Sequence, residues 1–351
     1  MRRLSERRLS LGLIAALLSA AMLATTAFAA TQGATTTTML TYITGLGTSR
    51  PASVVVAGID GRSRTTLGPA NSALLRPDGA QIAAIKKSSA TSWSLLLYSS
   101  GAVGAATVLY TDEKSMQLLA WSEDSRYLLV AVGATAAGGL WVFDTATQTN
   151  KKIAAGALYG ASFDPGGSGR VVYARAVHSG VDLYTTSATG TGTHRLTSTG
   201  NSEYPVWGPN GVAYARATTS KGSASPQFQL WLMKPGATNT QLTNIAIPQG
   251  LWGLTPVAFS ASGTRLLANF VGQNTTEAYV LDLSAAKPQP RDLTGAGNGT
   301  IGDAISQRGD LILVTKGKTE NQAADSVETV PWTGGKPTLI AAHGAYASWN
   351  D

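Results

Sequence analysis

The chain has no cysteine among its 351 residues. No disulfide framework can form and no thiol is available for lipid attachment, so stability must come from core burial. Histidine is nearly as scarce. His178, His194 and His343 stand far apart, with no neighbour at ligand-like spacing, and a zinc or other metal site is not expected. No G-x-S-x-G elbow, no Gly-rich phosphate loop and no acidic calcium loop of the D-x-[DN]-x-[DN]-G kind occurs. These absences leave serine-hydrolase, nucleotide-dependent and calcium-dependent chemistry without a motif, and no cofactor is expected. Charge is also sparse, at 13% Asp, Glu, Lys and Arg. The formal surplus of +7 falls to +4 when residues 1–29 are set aside. That surplus is dispersed, in pairs such as Lys86-Lys87 and Lys151-Lys152, so no basic stripe marks a nucleic-acid partner.

Residues 1–29 have the anatomy of a signal peptide. Arg2, Arg3, Arg7 and Arg8 precede an apolar run from Leu11 to Thr26, and Ala27-Phe28-Ala29 fits a small-residue cleavage site. Export to the periplasm or the outside is the expectation, with cleavage near Ala29. The run from Leu9 to Ala30 approaches the roughly 20 residues that span a bilayer, so an uncleaved anchor stays open. Residues 30–38 are polar and repetitive, a short flexible leader. After it, no linker marks a second domain, and residues 39–351 read as one.

The remainder is organised by a repeat. Asn201 to Thr243 contains four short β-rich runs, with Tyr204-Pro205-Val206-Trp207 leading into the turn Gly208-Pro209-Asn210-Gly211. An apolar residue before a similar turn recurs at Leu75, Trp121, Phe163, Trp207, Phe259, Ile305 and Trp349. The turns use Pro, Asp, Asn and Gly because a tight reversal needs a fixed φ at one position and a positive φ at another. Single acids at the ends of later strands, Asp60, Asp144 and Asp282, suit Asx-type capping of the following turn. A small antiparallel sheet per unit, repeated, is an all-β array.

Pro205 to Gly211, Arg76-Pro77-Asp78-Gly79 and Pro256 to Ser260 resemble the P-x-W-S-P-D-G pattern of TolB-like, WD-repeat-like β-propeller blades. The resemblance covers nearly the whole chain after residue 40 and implies a propeller that binds proteins, peptides or glycans on one face. Its last unit, Ala345 to Asp351, stops after one strand, and the region near residues 39–68 supplies three more. The two ends are therefore expected to share one blade, giving seven four-stranded blades with no open edge there. Six blades would follow if the degenerate unit after Asn298 were a loop excursion.

In a propeller the innermost strands line the axis. Four residues before each anchor stand Asn71, Gln117, Tyr159, Glu203, Thr255, Ile301 and Ala345, and Tyr204, Trp252 and Tyr346 add aromatic surface nearby. Gln117, Tyr159, Glu203, Tyr204, Trp252 and Tyr346 are the candidate binding residues, because aromatic faces with a few hydrogen-bonding groups suit a peptide or sugar. Trp252 and Tyr346 could equally pack between blades. Lys221 to Gln227 and Gly317 to Asp325 are the longest polar insertions and candidate binding loops. A monomeric, non-enzymatic binding or scaffolding module for an envelope or extracellular partner is the first expectation. A propeller-type glycan lyase or hydrolase using acids such as Glu203 is the second, and it requires two carboxylates about 5–10 Å apart.

Overall fold

Apolar runs between Pro, Asn, Asp and Gly turns become short antiparallel strands. A computed structural model describes residues 38–178, 180–218, 226–272, 275–295, 299–317 and 322–350. The expected signal peptide and most of the expected leader, with parts of both polar insertions, lie outside the described residues. The first three strands are β1 (Met39–Thr44), β2 (Ser53–Gly58) and β3 (Thr65–Pro69). Blade 2 is β4 (Ser72–Leu75), β5 (Gln81–Ser89), β6 (Ser92–Ser99) and β7 (Thr107–Asp112). Blade 3 is β8 (Met116–Trp121), β9 (Tyr127–Val132), β10 (Gly139–Asp144) and β11 (Thr149–Ala155). Blade 4 is β12 (Leu158–Phe163), β13 (Arg170–Val177), β14 (Gly180–Ser187) and β15 (His194–Arg195). Blade 5 is β16 (Ser202–Gly208), β17 (Gly211–Thr218), β18 (Gln227–Met233) and β19 (Thr240–Gln241). Blade 6 is β20 (Leu251–Phe259), β21 (Arg265–Gly272), β22 (Thr276–Asp282) and β23 (Arg291–Asp292). Blade 7 is β24 (Thr300–Ile305), β25 (Leu311–Lys316), β26 (Ser326–Pro331) and β27 (Thr338–Ala341), and β28 (Ala345–Trp349) follows.

The chain is an all-β propeller. Its terminal strand β28 pairs antiparallel with β1, matching Leu40 to Trp349 and Thr41 to Ser348, so blade 1 has the order β28-β1-β2-β3. The degenerate unit after Asn298 is a full four-stranded sheet. That removes the six-bladed alternative, because no unit is left over as a loop. Blades 5 and 6 join in one continuous sheet through a single parallel bridge between Phe228 and Gly253.

The anchor residues hold each blade to the one before it. Trp121 packs with Leu74 and Ile85 of blade 2, Phe163 with Leu129 of blade 3, and Trp349 with Ala304 and Leu313 of blade 7. Full burial of such a side chain contributes about 1.5–3 kcal/mol. Serines one residue before two anchors add polar stitches. The Trp207 amide donates to Ser162 Oγ (2.8 Å), and the Leu75 amide donates to Ser348 Oγ (2.9 Å). The expected Asx caps are present: Asp60, Asp144 and Asp282 each accept a backbone N–H two residues on, at 2.9, 3.0 and 2.9 Å.

Alternation of strand direction gives the two rims different contents. One rim carries the starts of all first strands and the hairpins between second and third strands. Glu203, Trp252 and Tyr346 therefore share this first-strand rim with both polar insertions.

Candidate functional site

A nook on the first-strand rim is built from the junction of blades 4, 5 and 6. On β16, Glu203 pairs with Ala215 and Val206 with Ala213, so Tyr204 and Pro205 together face one residue and form a β-bulge. Tyr204 adopts φ 54°, in the left-handed region that a bulky residue enters at a cost of about 1–2 kcal/mol. This turn drops the Tyr204 ring into a buried position, edge-on to Phe228 with centroids 5.8 Å apart, and brings its hydroxyl to the carboxylate of Glu203.

Two glycines let the neighbouring blades approach. Gly160, at φ 97°, lies so near the Tyr204 backbone that a Cβ there would stand 3.1 Å from Tyr204 Cα. Gly253, at φ 93°, would put a Cβ 2.4 Å from the Phe228 carbonyl oxygen. The residues just before these glycines, Tyr159 and Trp252, are thereby carried onto the same cluster as Tyr204 and Phe228. The geometry brings together Tyr159, Glu203, Tyr204 and Trp252.

Glu203 keeps some solvent contact although protein surrounds it closely enough to desolvate it. Burial pushes its carboxyl up to about 7, opposed only by the hydrogen bond from Tyr204. Tyr204 is raised well above the usual phenol value, by burial first and then by the charges of Glu203 and Tyr159.

Gln117 and Tyr346 lie elsewhere on the rim. Gln117 pairs opposite Ala131 on β8–β9. The Tyr346 ring packs against the cluster that contains Leu74, Met116 and Leu118, and its hydroxyl accepts from Gln322 Nε2 at 2.8 Å. Of the two polar insertions, the second returns as a turn at Gln322–Ala324 followed by the buried Asp325, and in the first Gln227 is buried and donates to the Ile247 carbonyl oxygen at 2.9 Å.

Asp303, absent from the sequence-based candidates, forms a second acidic centre with Asp325, the last residue of the second polar insertion. Asp303 on β24 is fully buried. It accepts from Thr315 Oγ1 (2.7 Å) and from the Ala347 backbone N–H. Burial raises it to about 7, with the charge of Asp325 a lesser cause. Asp325 itself is raised to about 6 by burial. Thr315 Oγ1 in turn accepts the Tyr346 amide at 2.9 Å. An acid inside the apolar run Ile301-Gly302-Asp303-Ala304-Ile305 was the available signal. Among the described residues no three His, Asp or Glu side chains gather as a metal site.

Scans against protein-family models and against curated proteins returned no match. Solved structures do resemble the chain. The β-propeller domain of the Trilobed protease from Pyrococcus furiosus, described with an open velcro topology, superposes with TM-score 0.65 at 11% identity, covering 87% of this chain and 92% of that one. TolB from Acinetobacter baumannii gives 0.55 at 12% identity, covering 86% and 80%. Oligogalacturonate lyase from Vibrio parahaemolyticus gives 0.55 at 13% identity, covering 76% and 80%. At these identities the likeness establishes the propeller fold and leaves function to the site.

Proposed function

We propose that the chain is exported with loss of residues 1–29, and that residues 39–351 act as one non-enzymatic propeller domain binding an envelope or extracellular protein, peptide or glycan at the first-strand rim. The observation that carries this reading is the nook of Tyr159, Glu203, Tyr204 and Trp252, where a part-exposed carboxylate meets the hydroxyl of a tyrosine on which Tyr159 and Trp252 pack half-buried. Such a surface combines a large apolar contact with one orienting polar group, the composition of a recognition site. Among the described residues no helix is long and apolar enough to cross a membrane. The test is capture of envelope and culture-supernatant material on residues 30–351, with a Glu203→Ala, Trp252→Ala double variant as control. A partner retained by the native protein and lost by the variant is the expected result.

A second reading, a glycan lyase or hydrolase working in the funnel, is raised by the fold likeness to oligogalacturonate lyase. It needs a second carboxylate beside Glu203, and no charge from another acid contributes to the raised value there. Release of soluble oligosaccharides from polysaccharides, with no partner captured, would put this reading first.

A further inference from the structure

Among the described residues Glu203 has no ion pair, in a chain of basic balance. The four ion pairs among the described residues join Arg62 to Asp60, Arg76 to Asp78, Arg126 to Asp144 and Arg195 to Asp182. The arginines on the strands flanking the nook are engaged by aromatic faces. Arg216 on β17 stands 4.7 Å over the Trp231 ring, and Arg175 on β13 stands 4.5 Å over the Tyr184 ring. Neither contributes to the state of Glu203, whose influences are its burial and the Tyr204 hydroxyl. Among the described residues the titratable group acting on it is Tyr204, on which Tyr159 acts in turn.

An ionised carboxylate has about four lone-pair positions, and among the described residues the Tyr204 hydroxyl is the side chain that hydrogen-bonds to the Glu203 carboxylate. Desolvating such a group without a counter-charge is costly, and a ligand that brings a positive charge offsets that cost while a neutral one does not. Tyr159 and Trp252 pack, half-buried, on the cluster of Tyr204, whose hydroxyl meets the Glu203 carboxylate, and aromatic faces attract cations through their quadrupole, by about 0.5–2 kcal/mol. Both components favour the same ligand class.

We propose that the Glu203 nook is a subsite for a primary ammonium group of a peptide or protein, a lysine side chain or a chain N-terminus, held between the carboxylate and the part-exposed rings of Tyr159 and Trp252. This deepens the binding reading above and rests on it. It goes further by fixing the charge of the recognised group. Binding couples to protons with a defined sign. Above about pH 7 Glu203 is ionised and receives the cation. Below it the carboxyl is neutral and affinity falls.

The experiment is a chemical-shift titration of the full mature protein with a short end-blocked peptide carrying one lysine between neutral residues, and with the same peptide carrying norleucine. Millimolar affinity is detectable this way. The expected result is that the lysine peptide binds at pH 8 about tenfold or more tighter than the norleucine peptide, an increment of about 1.4 kcal/mol. It also weakens at pH 5.5, and is lost in Glu203→Gln and reduced in Trp252→Ala, both checked for native circular dichroism. Equal binding of the two peptides, no saturation by the lysine peptide, or undiminished binding by Glu203→Gln would each overturn it. If a captured envelope partner is held equally by the native protein and Glu203→Gln, the binding reading stands and this inference falls. If the lysine peptide binds while no envelope partner is captured, the subsite stands and the scaffolding reading falls.

Discussion

Strands β16 and β28 carry nearly the same sequence device and put it to opposite ends. Each has a tyrosine three residues before a tryptophan anchor, Tyr204 before Trp207 and Tyr346 before Trp349, and both tyrosines sit at φ 54°. Each lies near a carboxyl raised to about 7. The residue after the tyrosine separates them. Ala347 has a backbone N–H, which it donates to Asp303 of the preceding blade, and with Thr315 it seals that acid in the seam. Pro205 has none to give, and the position equivalent to Asp303 in blade 4 is Ala161. No acid is sealed there, and the carboxylate next to Tyr204 is instead its own neighbour Glu203, left open to solvent. One constellation closes a seam between the two ends of the chain, while the other leaves a charge available to a ligand.

The difference can be broken by mutation. The largest effect is expected from Trp349→Ala. Trp349 is 1% exposed and packs with Leu40, Ala304 and Leu313, so its loss should cost about 3–5 kcal/mol. Trp207 is part-exposed, with Arg170 stacked 5.4 Å over its ring, and Trp207→Ala should cost about 1–2 kcal/mol. Urea unfolding of the two variants reads the gap.

A proline swap comes next. Ala347→Pro leaves a buried carboxyl one donor short and should cost about 1–3 kcal/mol, whereas Pro205→Ala should stay within about 1 kcal/mol. Thermal denaturation at fixed pH compares them, and equal losses would mean that the donor at 347 carries no weight.

The third effect concerns pH. Asp303 has a folded value raised to about 7 over an unfolded one near 4. Its contribution is fully present below about pH 4 and is lost as pH rises through about 7, by up to about 4 kcal/mol. Asp303→Asn should therefore flatten the decline in unfolding free energy between those limits. Asp325, raised to about 6, shares the window and leaves a remnant slope. Glu203→Gln should flatten it less, because solvent reaching Glu203 screens its charge. The smallest expected change is from Asp282→Ala, which removes a turn cap at the far rim and should cost about 0.5–1 kcal/mol at both pH limits.

Repeat, turn and anchor were legible because each rests on residues within a few positions of one another. Pro209-Asn210-Gly211 announces its hairpin, and the capping roles of Asp60, Asp144 and Asp282 follow from the local backbone. The pairing of β28 with β1 was legible too, since an incomplete last unit and a surplus of strands at the start are complementary. The site was legible in part. A common offset from the anchor picked out Tyr159 and Glu203, which both meet Tyr204, and also Gln117, which does not join them. The offset finds the same register position in each blade, for Gln117 and Glu203 both lie opposite the residue three beyond their anchor's own partner; Gln117 stays apart because blade 4 stands between blades 3 and 5. The Asp303 seam was hidden for a different reason. Its partners, Thr315 and Ala347, come from other strands, and nothing local in Ile301 to Ile305 indicates a donor for a buried acid.

Carboxyl footprinting tests the contrast between the two acids most directly. The folded mature protein is treated at pH 6 with a water-soluble carbodiimide and a small amine, and labelling of Glu203 and Asp303 is followed by peptide mass spectrometry. Glu203 should label in the folded protein and be protected by the lysine peptide, while Asp303 should stay unlabelled until the chain unfolds. Labelling of Asp303 as fast as Glu203, or a Glu203 that never labels, would contradict the division into an open subsite and a sealed seam.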